Sequence, residues 1–213
     1  MEQKQTVTRA YNFEIRAERN EKNGDYITGR PIVYNSRTDL GYFDEIIEAG
    51  ALDKTDLKDV RFLVNHNTDM IPLARSRNNN ENSTMQLEVD KDGLKIRVNL
   101  DTKNNTEARN LYSAIKRGDI TGMSFMFTVD KKDVRWENLE SDHPIRHITN
   151  IGQVFEVSAV TFPAYESTEI SARDKAALES AKATLESVRS QSLESDSAAA
   201  LELEKAKLKN KLF

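Results

Sequence analysis

"DITGMSFMFTV", residues 119–129, decides how the chain is read. Six of its eleven residues are large or branched and apolar: Ile120, Met123, Phe125, Met126, Phe127 and Val129. A strand sends alternate side chains to opposite faces. Met123, Phe125, Phe127 and Val129 therefore share one face, and Ser124, Met126 and Thr128 share the other. The apolar face reads as core. Ser124 is the oddity, because a buried hydroxyl needs a hydrogen-bond partner. A bond to a neighbouring strand or turn meets that need as well as a chemical role does.

The segments on either side place this strand in a mixed fold. Upstream, "NNTEARNLYSAIKRG" (104–118) predicts a helix, with Asn104 or Asn105 as N-cap, Ala108, Leu111 and Ile115 along one face, and Gly118 as the terminating glycine. "STMQLEVDKDGLKIRVNL" (83–100) predicts a hairpin, two alternating runs around Asp90-Lys91-Asp92-Gly93. Residues 11–34 read as two strands joined by a turn, with Pro31 making the second an edge or bulged strand. "FDEIIEAGALDKTDLKD" (43–59) reads as a loop with short helical turns, and "VRFLVNH" (60–66) as a short buried strand. Downstream come a charged hairpin around "DKKDVRWENLESD" and the apolar run "QVFEVSAVTFPAY" (153–165). Strands with few helices among them predict an α+β fold, a mostly antiparallel, barrel-like sheet flanked by helices.

Composition changes after Tyr165. From Glu166 onward there is no Gly, no Pro, and no aromatic residue before Phe213. Leu178, Ala181, Leu185 and Val188 follow a 3-4-3 spacing, and Leu201, Leu208 and Leu212 resume it. The expected division is a domain over 1–168 and a helical tail over 169–213, coiled-coil or partly disordered when alone, outside the core, with a thin apolar stripe suited to pairing with another helix. The stretch "AYESTEISARD" (164–174) between them is expected to be exposed and is a candidate self-cleavage region.

Composition also excludes some chemistry. The 213 residues contain no Cys, which removes disulfides, thiolate nucleophiles and thiolate metal sites. A net charge of −4 gives no argument for nucleic acid or an anionic membrane as partner. The opening "MEQKQTVTRA" has no apolar signal core, and no run approaches a spanning length, so a cytoplasmic compartment is expected. No phosphate-binding glycine loop is visible. His143 and His147 would need a helix to share a face as metal ligands, and Pro144 stands between them, so neither metal nor cofactor is expected.

Two further residues stand out beside Ser124. His66 ends an apolar strand and is followed by the loop "NTDMIPLARS"; Asn65 and Asn67 flank it as turn residues. Glu156 lies in a run that is apolar on both faces, where a carboxylate is costly unless paired. A salt bridge to an Arg or Lys would satisfy it, and so would a histidine. Serine, histidine and acid are the parts of an activated hydroxyl nucleophile, in which the base takes the hydroxyl proton and the acid orients the base. Spacing alone does not bring them together.

Three blocks in order, "FLVNHNTDMIPLARS", "GDITGMSFMF" and "FEVSAVTFPAYEST", resemble the signature segments of the prohead maturation proteases of tailed bacteriophages, relatives of the herpesvirus assemblin. The resemblance spans roughly residues 11–170. Ala74 stands where that family often has glycine. The resemblance implies an assemblin-like fold and a serine endopeptidase that cuts scaffold and major capsid proteins, and commonly itself, inside the prohead in the host cytoplasm. It implies Ser124 as nucleophile and His66 as general base. For the third member it favours Glu156, since the phage family uses an acidic residue; the assemblin relatives use a second histidine, which keeps His143 and His147 as alternatives. Arg75 is a candidate to hold the oxyanion or substrate. Partners implied are the scaffold and capsid proteins and further copies of the chain. The competing expectation is an inactive assembly or scaffold protein of the same fold.

Overall fold

The computed structural model describes residues 5–11, 15–20, 24–161, 179, 181–191 and 193. Its strands in chain order are β1 (Gln5–Tyr11), β2 (Ile15–Asn20), β3 (Gly24–Val33), β4 (Arg37–Asp39), β5 (Asp44–Ile47), β6 (Asp59–Val64), β7 (Ala74–Arg77), β8 (Met85–Asp90), β9 (Gly93–Asn99), β10 (Gly122–Val129), β11 (Val134–Glu137), β12 (Ile145–Ile148) and β13 (Gln153–Val160). Helix α1 (Thr106–Arg117) precedes β10, and a second helix, α2, covers residues 181–191.

These strands form three sheets, ordered β1-β10-β13-β6-β7, β11-β12-β5-β4 and β2-β3-β9-β8. Pairing is antiparallel except for β13 with β6 and β12 with β5. The fold is thus mostly β with few helices, as expected. The expected barrel is corrected: among the described residues no sheet closes. The first sheet ends at β1 on one side and β7 on the other, because the chain leaving β7 turns into β8, which pairs with β9 of a different sheet.

Local chemistry explains the elements that the sequence made legible. Asn105 caps α1, its side chain accepting from the N–H groups of Glu107 and Ala108 at 2.9 and 3.1 Å. Gly118 ends the helix at φ +81°, a conformation that suits glycine. The register of β3 against β9 shifts between Gly29 and Ile32, so Pro31 marks a bulge in a central strand rather than an edge. Gly93 closes the β8–β9 hairpin at φ +132°, where a Cβ would meet the Ile32 carbonyl oxygen at 2.0 Å.

The 43–59 segment differs from its reading. Asp44–Ile47 is a strand, not a loop. Its Glu45 is buried and is held by two distant guanidiniums. Arg9 of β1 pairs with it, one bond being 2.9 Å long, and Arg146 of β12 donates to it at 3.0 Å. This buried cluster ties the first sheet to the second.

Among the described residues two apolar clusters result. The main one contains Phe62, Met123, Phe125, Phe127 and Val157, with the rings of Phe125 and Phe127 stacked 4.9 Å apart. The smaller one joins Phe43 to Ala181 of α2, with Leu40 and Trp136 packed against it. Arg189 of α2 also donates to the Leu139 carbonyl at 2.9 Å. Within 181–191 the apolar stripe of the tail is therefore turned onto the chain's own second sheet, where a free pairing face was expected. Leu178, Leu201, Leu208, Leu212 and the 164–174 segment lie outside the described residues. Among the described residues no helix is long and apolar enough to cross a membrane.

Two outcomes follow for stability. Burial alone would push the Glu45 carboxyl up, but Arg9 and Arg146 outweigh it and hold the group below its ordinary value of 4.5. A carboxyl lowered by folding stabilises above its unfolded-state pKa, and that stability is lost as pH falls through the folded value. Urea titrations should show stability falling as pH drops below 4.5. Glu45→Gln should flatten that dependence and cost roughly 3–5 kcal/mol at neutral pH, since it removes the buried carboxylate that pairs with both guanidiniums. Separately, Gly93→Ala should lower stability by about 2 kcal/mol or more in the same assay, because the hairpin cannot keep its place against Ile32.

Candidate active site

The parallel pairing of β13 with β6 builds this site. Glu156 lies opposite Arg61, Ser158 opposite Leu63 and Ala159 opposite Val64. On the other side of β13, Met126 lies opposite Glu156 and Ser124 opposite Ser158. Residues directly opposite in a sheet share a face, so Ser124, Ser158 and Glu156 are presented together.

His66 reaches this face from a turn beyond the end of β6. Asn65 and His66 both have positive φ, +51° and +56°, as the central residues of a type I′ turn require. The turn is closed by the Asn67 N–H donating to the Val64 carbonyl at 3.0 Å. It is clipped to the far strand through Asn65, whose N–H donates to the Ala159 carbonyl at 2.9 Å. The Asn65 amide also donates to the Thr161 hydroxyl at 3.0 Å and accepts from the Thr161 N–H at 2.9 Å. Two consecutive non-glycine residues at positive φ are costly, and these bonds oppose that cost. Asn tolerates the conformation better than most residues, which explains its place before His66.

Glu156 meets His66 at 2.6 Å, Oε1 to Nδ1, and its Oε2 accepts from the Ser158 hydroxyl at 2.5 Å. Ser158 Oγ in turn accepts from the His66 backbone N–H at 3.2 Å. A carboxylate only accepts, so the imidazole carries its proton on Nδ1, which leaves Nε2 with a lone pair. Glu156 is 3% exposed. Among the described residues no Arg or Lys reaches it; Arg61, its cross-strand neighbour, turns to Asp59 at 3.1 Å. The contrast with Glu45 is informative. One buried acid is neutralised by two arginines, whereas the other faces an imidazole and a hydroxyl, and only the second arrangement can help a histidine take up a proton.

Ser124 is fully buried, and its hydroxyl donates to the Arg9 carbonyl at 2.7 Å. The reading of its strand holds: Met123, Phe125, Phe127 and Val129 are each at most 1% exposed and lie in the core. The structure therefore brings His66 and Glu156 into contact and puts Ser124 one strand away, with its hydroxyl on β1 in this conformation.

The remaining sequence candidates lie elsewhere. His143 Nε2 is 3.1 Å from Asp44, and His147 Nε2 is 3.0 Å from Glu137, both in the β11-β12-β5-β4 region. Arg75 holds Asp59 at 2.6 and 2.8 Å. That contact lowers the Asp59 carboxyl below its ordinary value and raises the Arg75 guanidinium. Asp39, Asp44 and His143 offer ligand atoms within 4.8 Å of one another, but Arg37 already pairs with Asp44, which makes the group an ion-pair network. Sequence reading missed the contacts of Ser158 and the Arg9 carbonyl. The signal for Ser158 was present, since it shares a face with Glu156 two residues away.

A solved structure of the bacteriophage T4 capsid assembly protease, gp21, aligns over 74% of this chain and 98% of that one, at 12% identity and a TM-score of 0.42. A search of curated protein sequences matched nothing. A family model described as caudovirus prohead serine protease matches residues 11–184, more than half the chain and all of the His66, Ser124 and Glu156 segments, and the chain belongs to that family.

Proposed function

We propose that the chain is a capsid-maturation serine endopeptidase in which Ser124 is the nucleophile, His66 the general base and Glu156 the acid that orients it. The observation that carries this reading is the 2.6 Å contact between Glu156 and His66 Nδ1, the contact by which an orienting acid leaves the other ring nitrogen to act as base. The chemistry needs Ser124, fully buried here, to become open to substrate and to approach His66. Ser124 must turn its hydroxyl from the Arg9 carbonyl towards His66, a rotamer change of a kind expected between resting and substrate-bound sites. Ser124 Oγ then attacks the scissile carbonyl carbon while its proton passes to His66 Nε2. The imidazolium, stabilised by Glu156, gives that proton to the departing amine nitrogen as the peptide C–N bond breaks. Water repeats the sequence on the acyl-enzyme ester: its proton goes to His66, its oxygen bonds to the acyl carbon, and Ser124 Oγ leaves with the proton returned.

The substrates proposed are scaffold and major capsid proteins inside the prohead, and the chain itself. A second reading, an inactive assembly protein of the same fold, draws on one observation: Ser124 is buried and its hydroxyl is already bonded to Arg9.

Mixing purified chain with scaffold and capsid protein, followed by mass spectrometry of the products, separates the two. Ser124→Ala should reduce cleavage on the order of 10⁴-fold with the fold intact. His66→Ala should be nearly as damaging, and the double variant little worse, because the residues act as a unit. Glu156→Gln should cleave more slowly than wild type but measurably. Undiminished cleavage by Ser124→Ala sinks the proposal, and a wild-type chain that cleaves nothing favours the inactive reading. Cleavage should also decline towards acid pH, where a histidine base is protonated.

A further inference from the structure

We infer that Ser158 is a positioning residue, a hydroxyl that joins the base and its acid into one unit. This inference rests on the reading of His66 and Glu156 given above. Ser158 is fully buried at the centre of the first sheet, between Ser124 on β10 and Leu63 on β6. Its one hydroxyl is used in both directions. It donates to Glu156 Oε2 at 2.5 Å and accepts from the His66 backbone N–H at 3.2 Å.

The two bonds do different things. Glu156 carries no Arg or Lys among the described residues, so the Ser158 hydroxyl is the donor that fixes Oε2 of the carboxyl group. With Oε2 fixed, Oε1 is aimed at Nδ1, which sets the imidazole's tautomer and leaves Nε2 as the nitrogen that can act as base. The bond from the His66 N–H acts on the backbone. It holds the second residue of the strained turn against β13 at the level of Ser158 and offsets part of the cost of its φ of +56°. Removing the hydroxyl would leave a buried carboxylate oxygen and the His66 N–H without partners at the same time.

The arrangement also separates the roles of the two serines. Ser158 gives its proton to a carboxylate and not to an imidazole nitrogen, so it is held where it is and is not activated. Ser124 lies on the next strand, and its hydroxyl donates to a neutral backbone carbonyl, a weaker hold than a carboxylate.

Two readouts on the full chain test this: the far-downfield proton resonance of a carboxylate-bonded His66 Nδ1–H, and kcat and KM on scaffold or capsid protein. Ser158→Ala should fold, lose or shift that resonance, and lower kcat about 10–100-fold, the worth of a hydrogen bond to a charged group. KM should change less than about threefold, as expected when transition-state stabilisation is what is lost. Ser158→Thr, which keeps the hydroxyl, should restore both readouts. If Ser158→Ala does not fold, Ser158→Cys poses the same question with a weak donor of similar size. An unchanged resonance with full kcat in Ser158→Ala overturns the inference. So does equal damage from Ala and Thr, which would mean a packing role, or a dead Ser158→Ala beside an active Ser124→Ala, which would make Ser158 the nucleophile. If the wild-type chain cleaves nothing, the proposed function fails, yet the resonance still decides what Ser158 does.

Discussion

The parallel pairing of β6 with β13 is the constraint on which the rest depends. His66 and Glu156 are 90 residues apart, and nothing local brings them together. Parallel strands run in the same direction, so the end of β6 and the end of β13 lie side by side. The turn at Asn65-His66 is clipped to Thr161 just beyond β13 and folds back, returning the imidazole to the level of Glu156. Had the two strands been antiparallel, the residues following β6 would have met the start of β13 instead. β10 then needs only to flank β13 for Ser124 to join the same face.

The two buried glutamates divide the molecule's electrostatics. Glu45 is a structural charge, matched by Arg9 and Arg146 and holding two sheets together. Glu156 is left with partners that can exchange protons. Arg9 connects the two, because its side chain serves Glu45 while its carbonyl receives the Ser124 hydroxyl. The position of the Ser124 hydroxyl is therefore set by a strand that is itself pinned by a buried ion cluster. The family match begins at residue 11, so β1 lies almost wholly before it.

Much of this was legible in the sequence where local chemistry decides the outcome. The Asp90–Gly93 hairpin, the Asn105 cap, the Gly118 terminus and the alternating faces of the Ser124 strand each depend on residues within one element. Glu156 was conspicuous because a charge stood in an apolar run. The strand Asp44–Ile47 was hidden for the opposite reason. It is short and acidic, and its burial depends on arginines more than thirty residues away on one side and about a hundred on the other. The tail's spacing was read as a seam for a partner, yet Ala181 and Leu185 are buried on the chain's own surface. A 3-4-3 stripe specifies an apolar surface to cover and does not name it. The contact of His66 with Glu156 could only be suspected, since spacing carries no information on which strands pair in parallel.

The central claim is that Ser124 is a hydroxyl activated by His66. Its most direct measurement is covalent labelling of the whole chain with a fluorophosphonate, followed by peptide mapping, which needs no knowledge of the cleaved sequence. The account predicts a single adduct on Ser124 that forms in wild type and fails to form in His66→Ala. An adduct on Ser158 or another serine, or labelling of Ser124 that is indifferent to His66, would contradict it.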